Sequence, residues 1–226
     1  MLNSLFNDFE SIIVFDVETT GIDPKEEEII EIAALRAVSN HGNPVIADEF
    51  NTLVKLSPDK HLLAIITDLT GISEKKLAEE GVSKDEARVS LMNMLNHRNS
   101  LLVAYNAQFD LCFLYHFLNR FNEAAILKNF KMLDALTIYK DRKPYPHKLS
   151  DAVNAYSLNT QNTHRASDDA KTTFELLCKM GEETDDLIRY VNLFGYNPKY
   201  GVPNPKISSI KYSPQEYDVK KKLYET

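Results

Sequence analysis

The chain has 226 residues, of which 43% are hydrophobic, and a formal net charge of −7. This length suits one well-buried α/β domain and is short for two. The acidic balance argues against a protein that coats nucleic acid through many Lys and Arg contacts to phosphates. It does not exclude an enzyme acting on nucleic acid, because bound cations supply positive charge locally.

No apolar run approaches the roughly 20 residues that cross a bilayer, and the first residues lack a basic stretch followed by an apolar core. We therefore expect a cytoplasmic protein with no membrane partner. The two cysteines, Cys112 and Cys178, lie in amphipathic helical patterns. That context favours buried free thiols over a disulfide or a metal site.

The first predicted element is an apolar, β-branched strand over residues 11–17, which ends among two carboxylates, Asp16 and Glu18. Residues i and i+2 of a strand point to the same face, so both carboxylates should project together. Burying two unpaired like charges costs several kcal/mol each, on the order of the desolvation penalty of an ion. A divalent cation between them offsets that cost, and oxygen ligands favour Mg²⁺ or Mn²⁺.

The following patterns predict an antiparallel meander. A turn at residues 20–24 precedes strands over residues 29–38 and 48–55, which a turn at residues 40–44 separates. The glutamates at residues 26–28 are predicted to form a solvated acidic cluster.

A helical region and two further strands come next. Short helices are predicted near residue 58 and over residues 73–79, and a capping box at residues 83–86 begins an amphipathic helix. A strand over residues 101–104 leads into a helix near Asp110, and a strand or strand-helix junction is predicted over residues 130–137.

The last part of the domain is predicted to contain a basic loop at residues 141–147, a helix from about residue 148 and a long helix from residues 167–169 to about residue 181. The basic side chains near this loop either contact phosphates or are simply solvated. They are Lys140, Arg142, Lys143 and Lys148.

Residues 182–226 form an extension that is too aromatic for a disordered tail and too rich in proline for one helix. We expect its aromatic side chains to pack on the domain or on another subunit. Binding of single-stranded nucleic acid, through stacking and phosphate contacts, stays open as an alternative. The aromatic and basic residues are Tyr190, Phe194, Tyr196, Tyr200, Tyr212, Tyr217 and Tyr224, with Lys199, Lys206, Lys211, Lys220, Lys221 and Lys222.

Two further acids attract attention by their context. Asp110 and Asp169 each lie near the start of a predicted helix, where a capping or first-turn acid is common. Taken singly, each is explained by that structural role. The same explanation fails for Asp16 and Glu18, which lie on a strand.

Three motifs together resemble the DEDD superfamily of 3′-to-5′ exonucleases. Asp-x-Glu-Thr-x-Gly occurs at residues 16–21, Asn-x-x-Phe-Asp at residues 106–110 and His-x-Ala-x-x-Asp-Ala at residues 164–170. They occur in the expected order, so chance is a poor explanation.

The third motif resembles the His-type (DEDDh) branch, because His164 stands five residues before Asp169, and Arg165 stands where the other branch has Tyr. This branch includes the epsilon proofreading subunit of bacterial DNA polymerase III, the exonuclease domain of the Gram-positive replicative polymerase and oligonucleotide-trimming ribonucleases. The register makes Asp169, rather than Asp168, the metal ligand. Many relatives have His where this chain has Tyr105, a position that is not a ligand in the family pattern.

The resemblance implies a ribonuclease H-like α/β fold with a mixed five-stranded sheet, three antiparallel strands first and parallel strands afterwards, flanked by helices. The exonuclease domain is expected over residues 1–181 and the extension over residues 182–226. It also implies two divalent cations, Mg²⁺ or Mn²⁺, with His164 as general base, a role that suits imidazole near neutral pH. The implied ligands are Asp16, Glu18, Asp110 and Asp169, and the implied substrate contacts are Thr19, Thr20, Gly21, Asn106 and Phe109.

The implied activity is hydrolysis of single-stranded DNA from its 3′ end, with release of 5′-mononucleotides. Two alternatives stay open: an RNA-trimming exoribonuclease of the same superfamily, and a catalytically silent module that associates with a polymerase. The expected partners are 3′ ends of single-stranded DNA or RNA and, for proofreading, a DNA polymerase acting in trans.

Overall fold

The computed structural model describes residues 2–216 and 221–226. Its centre is a five-stranded sheet in the order β3-β2-β1-β4-β5. The first three strands pair antiparallel, and β4 and β5 run parallel to β1. This arrangement confirms the predicted α/β fold class. The strands are β1 (Ser11–Thr19), β2 (Ile29–Asn40), β3 (Asn43–Leu53), β4 (Ser100–Ala104) and β5 (Lys131–Asp134).

Helices cover both faces of this sheet. The capping box predicted at residue 83 is present, since the Ser83 side chain accepts from the Glu86 amide and Glu86 accepts from the Ser83 amide. In the described ranges, the α-helices are α1 (Asn3–Phe6), α2 (Ala64–Thr70), α3 (Glu74–Glu80), α4 (Lys84–Leu95), α5 (Ala107–Asn119), α6 (Ala135–Arg142), α7 (Leu149–Tyr156) and α8 (Ala166–Glu183).

Strand β1 is buried on both faces, and its alternation decides where the acids point. Ile13 and Phe15 pack into a core cluster with α4 and α5. Ile12 and Val14 pack into a second cluster with side chains of α8, such as Leu177. Because side chains alternate along a strand, Asp16 and Glu18 continue the face that α8 covers.

The hairpin between β2 and β3 is tighter than predicted. His41 and Gly42 have φ angles of 51° and 84°, and Asn40 pairs directly with Asn43. Positive φ at both central residues is the geometry of a two-residue hairpin turn. Pro44 therefore lies within β3, on the sheet edge, where its missing N–H is tolerated.

Two predictions between β1 and α3 are wrong. Glu28 is not solvated but 4% exposed, and it accepts hydrogen bonds from Ser57, Lys84 and Arg120. Burial opposes its ionisation, but hydrogen bonds from Lys84 and Ser57 lower the pKa of Glu28 to about 2. The helix expected near residue 58 begins only at Ala64, and the amide of Ser57 donates to Glu28 instead.

The basic loop is shorter than predicted, since α6 continues to Arg142. The Arg142 side chain is 2% exposed, and its guanidinium binds Asp186 and the carbonyl groups of Met180 and Thr184. Both alternatives predicted for Arg142, a phosphate contact and a solvated side chain, are therefore wrong, because this buried cation ties α6 to the end of α8. Lys143 pairs with Glu183 at 2.8 Å.

Part of the described extension packs on the domain. Tyr190 is fully buried and its hydroxyl donates to Asp141, while Phe194 is 2% exposed. Tyr200, in contrast, is 75% exposed. The domain division at residue 181 stays a prediction, and Tyr217 and Lys220 lie outside the described residues. The elements here are 3-10 helices Leu187–Tyr190 and Leu223–Glu225 and the parallel strands β6 (Leu193–Tyr196) and β7 (Lys211–Pro214).

Cys112 and Cys178 are free thiols, as predicted, but only Cys112 is buried, whereas Cys178 is partly buried. In the described part of the chain, none of the helices has the length and apolar character needed to cross a bilayer.

Candidate active site

Three acids from two distant parts of the sequence converge at the end of β1. Asp16 and Glu18 come from β1, and Asp169 comes from the first turn of α8. One carboxylate oxygen from each lies within 4.8 Å of the others. Hard oxygen donors at this spacing fit Mg²⁺ or Mn²⁺. The donor set is therefore chemically suited to the cations that the sequence predicts.

Asp110 borders this group but is turned partly toward the backbone. It lies in the first turn of α5, is 3% exposed and accepts a hydrogen bond from the Val17 amide at 3.1 Å. That amide belongs to the residue between Asp16 and Glu18. Asp110 thus ties the second motif to the first, and its charge acts on Asp16.

The electrostatics of the cluster are those of an uncompensated anionic site. Burial, followed by the charges of Asp110 and Glu18, raises the pKa of Asp16 well above its usual range. Burial, followed by Asp169, raises the pKa of Glu18 to about 8. Burial also raises the pKa of Asp169 to about 6, although the Thr163 amide and other donors oppose this shift. A cation bound here would release these protons.

The segment before α8 holds Asp169 and leaves His164 at the surface. The side chain of Asn162 and the amide of Thr163 both donate to the Asp169 carboxylate. His164 is exposed and has a φ of 56°, in the left-handed region. Asp168 is also exposed and accepts from the Thr163 hydroxyl at 2.6 Å, as suits a solvated acid at a helix start.

The turn after β1 is held by its own side chains. Thr19 donates to the Gly21 carbonyl at 2.6 Å, and Thr20 donates to Glu27. A Cβ on Gly21 would lie 2.8 Å from the Glu27 carboxyl carbon, so a larger residue here would require the Glu27 side chain to move. The hydroxyl hydrogens of Thr19 and Thr20, two of the predicted substrate contacts, are thus donated within the protein.

Asp134, whose role the sequence did not reveal, holds the second motif. It accepts hydrogen bonds from the amides of Asn106 and Ala107 at 2.9 and 3.1 Å, and from the hydroxyl of Thr137. Asn106 has a φ of 65°, so the chain turns sharply from β4 into α5. The Phe109 ring then packs against a neighbouring ring of α5, with the centroids 4.8 Å apart.

The sequence prediction also missed Glu31, which lies directly across from Glu18 in the β1–β2 pairing. Glu31 is fully buried, and it pairs with Arg165 at 2.7 Å. The signal was present, because Glu31 is a carboxylate inside an apolar strand, as are Asp16 and Glu18. Arg165 was noted only for not being a tyrosine.

The exonuclease family model RNase T matches residues 13–177, which include all three motifs. The chain belongs to the RNase T exonuclease family. Its relatives in this family include the DNA polymerase III PolC-type proteins of Latilactobacillus sakei, 32% identical over 84% of this chain, and Clostridium perfringens, 34% identical over 78% of it. The chain spans only 12% of the length of each.

The fold of this RNase T family member is similar to that of Escherichia coli exonuclease I in solved structures. A zinc-bound complex of that protein with single-stranded DNA has a TM-score of 0.71 at 18% identity, over 80% of this chain and 42% of the other. A complex with a dA16 oligonucleotide has a TM-score of 0.70 with the same coverage and identity. This likeness shows the shared ribonuclease H-like fold.

Proposed function

We propose that this chain is a 3′-to-5′ exonuclease that hydrolyses terminal phosphodiesters of single-stranded DNA with two divalent cations, Mg²⁺ or Mn²⁺, and releases 5′-mononucleotides. The observation that carries the proposal is the convergence of Asp16, Glu18 and Asp169 within 4.8 Å at the end of a buried strand. Membership of an exonuclease family supports the same reaction class. The catalytic unit is proposed to occupy residues 1–181, with residues 182–226 packed on it.

The four acids would hold the cations. Asp16, Glu18 and Asp169 supply the converging oxygens, and Asp110 supplies a further carboxylate beside Asp16. When bound, such cations neutralise charge on the phosphate and make water a stronger acid. The raised pKa values of Glu18 and Asp169 support this assignment, since buried acids without a counter-charge keep their protons.

His164 is proposed as the general base. His164 is exposed and directly follows Thr163, whose amide donates to the proposed ligand Asp169. A free imidazole nitrogen would accept the proton of the attacking water, and proton transfer of this kind contributes roughly 10²–10⁴-fold to a rate.

The terminal nucleotide is proposed to lie against the turn of Thr19, Thr20 and Gly21. This turn is rigid because Thr20 also receives a hydrogen bond from the Glu28 amide at 2.9 Å. Phe109 is proposed to flank the terminal base, and Asn106 to set the direction of the second motif.

DNA is the proposed substrate because the relatives are named as DNA polymerases, and the structural neighbours are complexes with single-stranded DNA. A DNA polymerase is the proposed protein partner on the same ground. The membership in one superfamily does not separate DNA from RNA, so the substrate needs a direct test.

That test uses 5′-labelled single-stranded DNA and RNA of the same sequence, each with Mg²⁺ or Mn²⁺. A 3′-to-5′ exonuclease on DNA yields a ladder of progressively shorter labelled DNA and releases mononucleotides. Shortening of RNA but not DNA would assign an exoribonuclease instead. Binding of either strand with no hydrolysis by folded protein would favour the silent module.

A further inference from the structure

Glu31 lies where the sheet, the proposed metal-binding acids and the start of α8 come together. It is fully buried on β2, opposite Glu18. Arg165 donates to it twice, from Nε to Oε2 at 3.0 Å and from Nη2 to Oε1 at 2.7 Å. The Ala166 amide donates to Oε2 at 3.0 Å. Three hydrogen-bond donors from the third motif therefore bind the carboxylate of Glu31.

This ion pair is built for fixed geometry. A guanidinium that binds both oxygens of a carboxylate fixes the direction as well as the distance between two elements. Burying Glu31 without such a partner would add a further uncompensated charge beside Asp16 and Glu18. Arg165 thus neutralises the buried Glu31, whose two carboxylate oxygens are already engaged and so do not serve as metal ligands.

The pair connects the two halves of the site. Glu31 belongs to the sheet that carries Asp16 and Glu18, whereas Arg165 separates His164 from α8, which carries Asp169. Among the described residues, no hydrogen bond or ion pair holds the His164 ring itself. The direction of that ring is set by the backbone at residues 164–166, which Glu31 anchors.

We propose that Glu31 and Arg165 are positioning residues, which hold His164 and Asp169 in register with the acids of β1. This inference rests on the proposed function. The inference assigns Glu31 a role other than that of metal ligand, although Glu31 is a buried carboxylate that lies across from the proposed ligand Glu18.

The test compares three variants of the pair, Arg165→Gln, Arg165→Lys and Glu31→Gln. The control is Arg36→Gln, which breaks a different ion pair, that of Arg36 on β2 with Asp48 on β3. For each variant, kcat and KM are measured on single-stranded DNA, folding is checked by thermal denaturation, and amide hydrogen exchange is followed by mass spectrometry.

We expect Arg165→Gln to lower kcat by about 10–100-fold, the usual effect of losing a residue that orients a ligand, with KM changed less than about threefold. Exchange should rise in residues 163–169 but not in β1 or β4. Arg165→Lys should recover part of kcat, because the charge remains while the fork is lost. The Arg36→Gln control should match wild type in kcat.

The effects of the two partners should also overlap. If they act as one unit, the double variant Glu31→Gln/Arg165→Gln should lose less kcat than the product of the two single losses. Folded Arg165→Gln protein with wild-type kcat, or losses that multiply, would overturn the positioning role alone. Wild-type protein that hydrolyses no nucleic acid would overturn the proposed function, and this inference with it.

Discussion

Replacing Glu18 with glutamine should stabilise the protein in the absence of metal. Burial, followed by the charges of Asp169 and Glu31, raises the pKa of Glu18 from 4.5 to about 8. Between these values the unfolded chain gives up a proton that the folded chain keeps, so the stability that this group contributes falls as pH rises. Each pH unit is worth about 1.4 kcal/mol, which sums to about 4 kcal/mol at pH 7.5.

That sum is an upper bound, because a half-buried carboxylate is partly relieved by water and by local relaxation. We expect Glu18→Gln to raise the free energy of unfolding by about 2 kcal/mol at pH 7.5, which is about 4–8 °C in Tm for a chain of this size. At pH 4.5 and below, the gain should nearly vanish, because the glutamate is then protonated in the unfolded chain as well as in the folded protein.

The assay is urea or thermal denaturation in EDTA at pH 4.5, 6 and 7.5. Glu10→Gln is a suitable control, since Glu10 is an exposed acid directly before β1. Adding Mn²⁺ at pH 7.5 should stabilise wild type more than Glu18→Gln, because the cation binds the folded, ionised cluster. Equal stability of wild type and variant at all three pH values, or a gain as large at pH 4.5 as at pH 7.5, would refute the reasoning.

Three further predictions follow from the site and the core. Asp169→Asn should lower kcat by more than about 100-fold, which exceeds the usual loss from a residue that only orients a metal ligand. Asp168→Asn should keep nearly full activity. Both variants are measured on labelled single-stranded DNA. His164→Ala should lower kcat by about 10²–10⁴-fold and leave the Mn²⁺ affinity, measured by calorimetry, within about threefold. Tyr190→Ala should cost about 3–5 kcal/mol in urea denaturation, because a fully buried ring is removed, whereas Tyr200→Ala should change stability by less than about 0.5 kcal/mol.

Each of these predictions has a clear contrary result. Similar losses in the Asp169 and Asp168 variants would show that the helix start, rather than one ligand, matters. Loss of Mn²⁺ binding in the His164 variant would make the imidazole a ligand rather than a base. Equal stability of the two tyrosine variants would contradict the packing of the extension.

The antiparallel meander of the first three strands and the shared face of Asp16 and Glu18 followed from local pattern, because strand alternation and short turns are encoded by neighbouring residues. The mixed five-stranded sheet came from the family resemblance. The convergence with Asp169 came only from the family resemblance. More than 150 residues separate Asp169 from Glu18 along the chain, and no local sequence pattern indicates that a strand end will meet a distant helix start.

The wrong predictions for polar side chains share one cause, because the exposure of a polar side chain is predicted from its neighbours in sequence, whereas its burial depends on distant residues. Glu28 sits in a glutamate run but is buried by Ser57 and Lys84, which come from later segments. Arg142 lies in a basic stretch, but its partners belong to the end of α8 and the segment after it. Glu31 was passed over because its partner, Arg165, is 134 residues away.

The most direct test of the two-cation proposal compares wild type with Asp16→Ala on 3′-labelled single-stranded DNA. Reactions contain Mg²⁺, Mn²⁺ or EDTA, and circular dichroism verifies that both proteins are folded. We predict rapid release of labelled mononucleotide by wild type with either cation, none in EDTA and almost none by the variant. Equal degradation by wild type and Asp16→Ala, or hydrolysis that persists in EDTA, would contradict it.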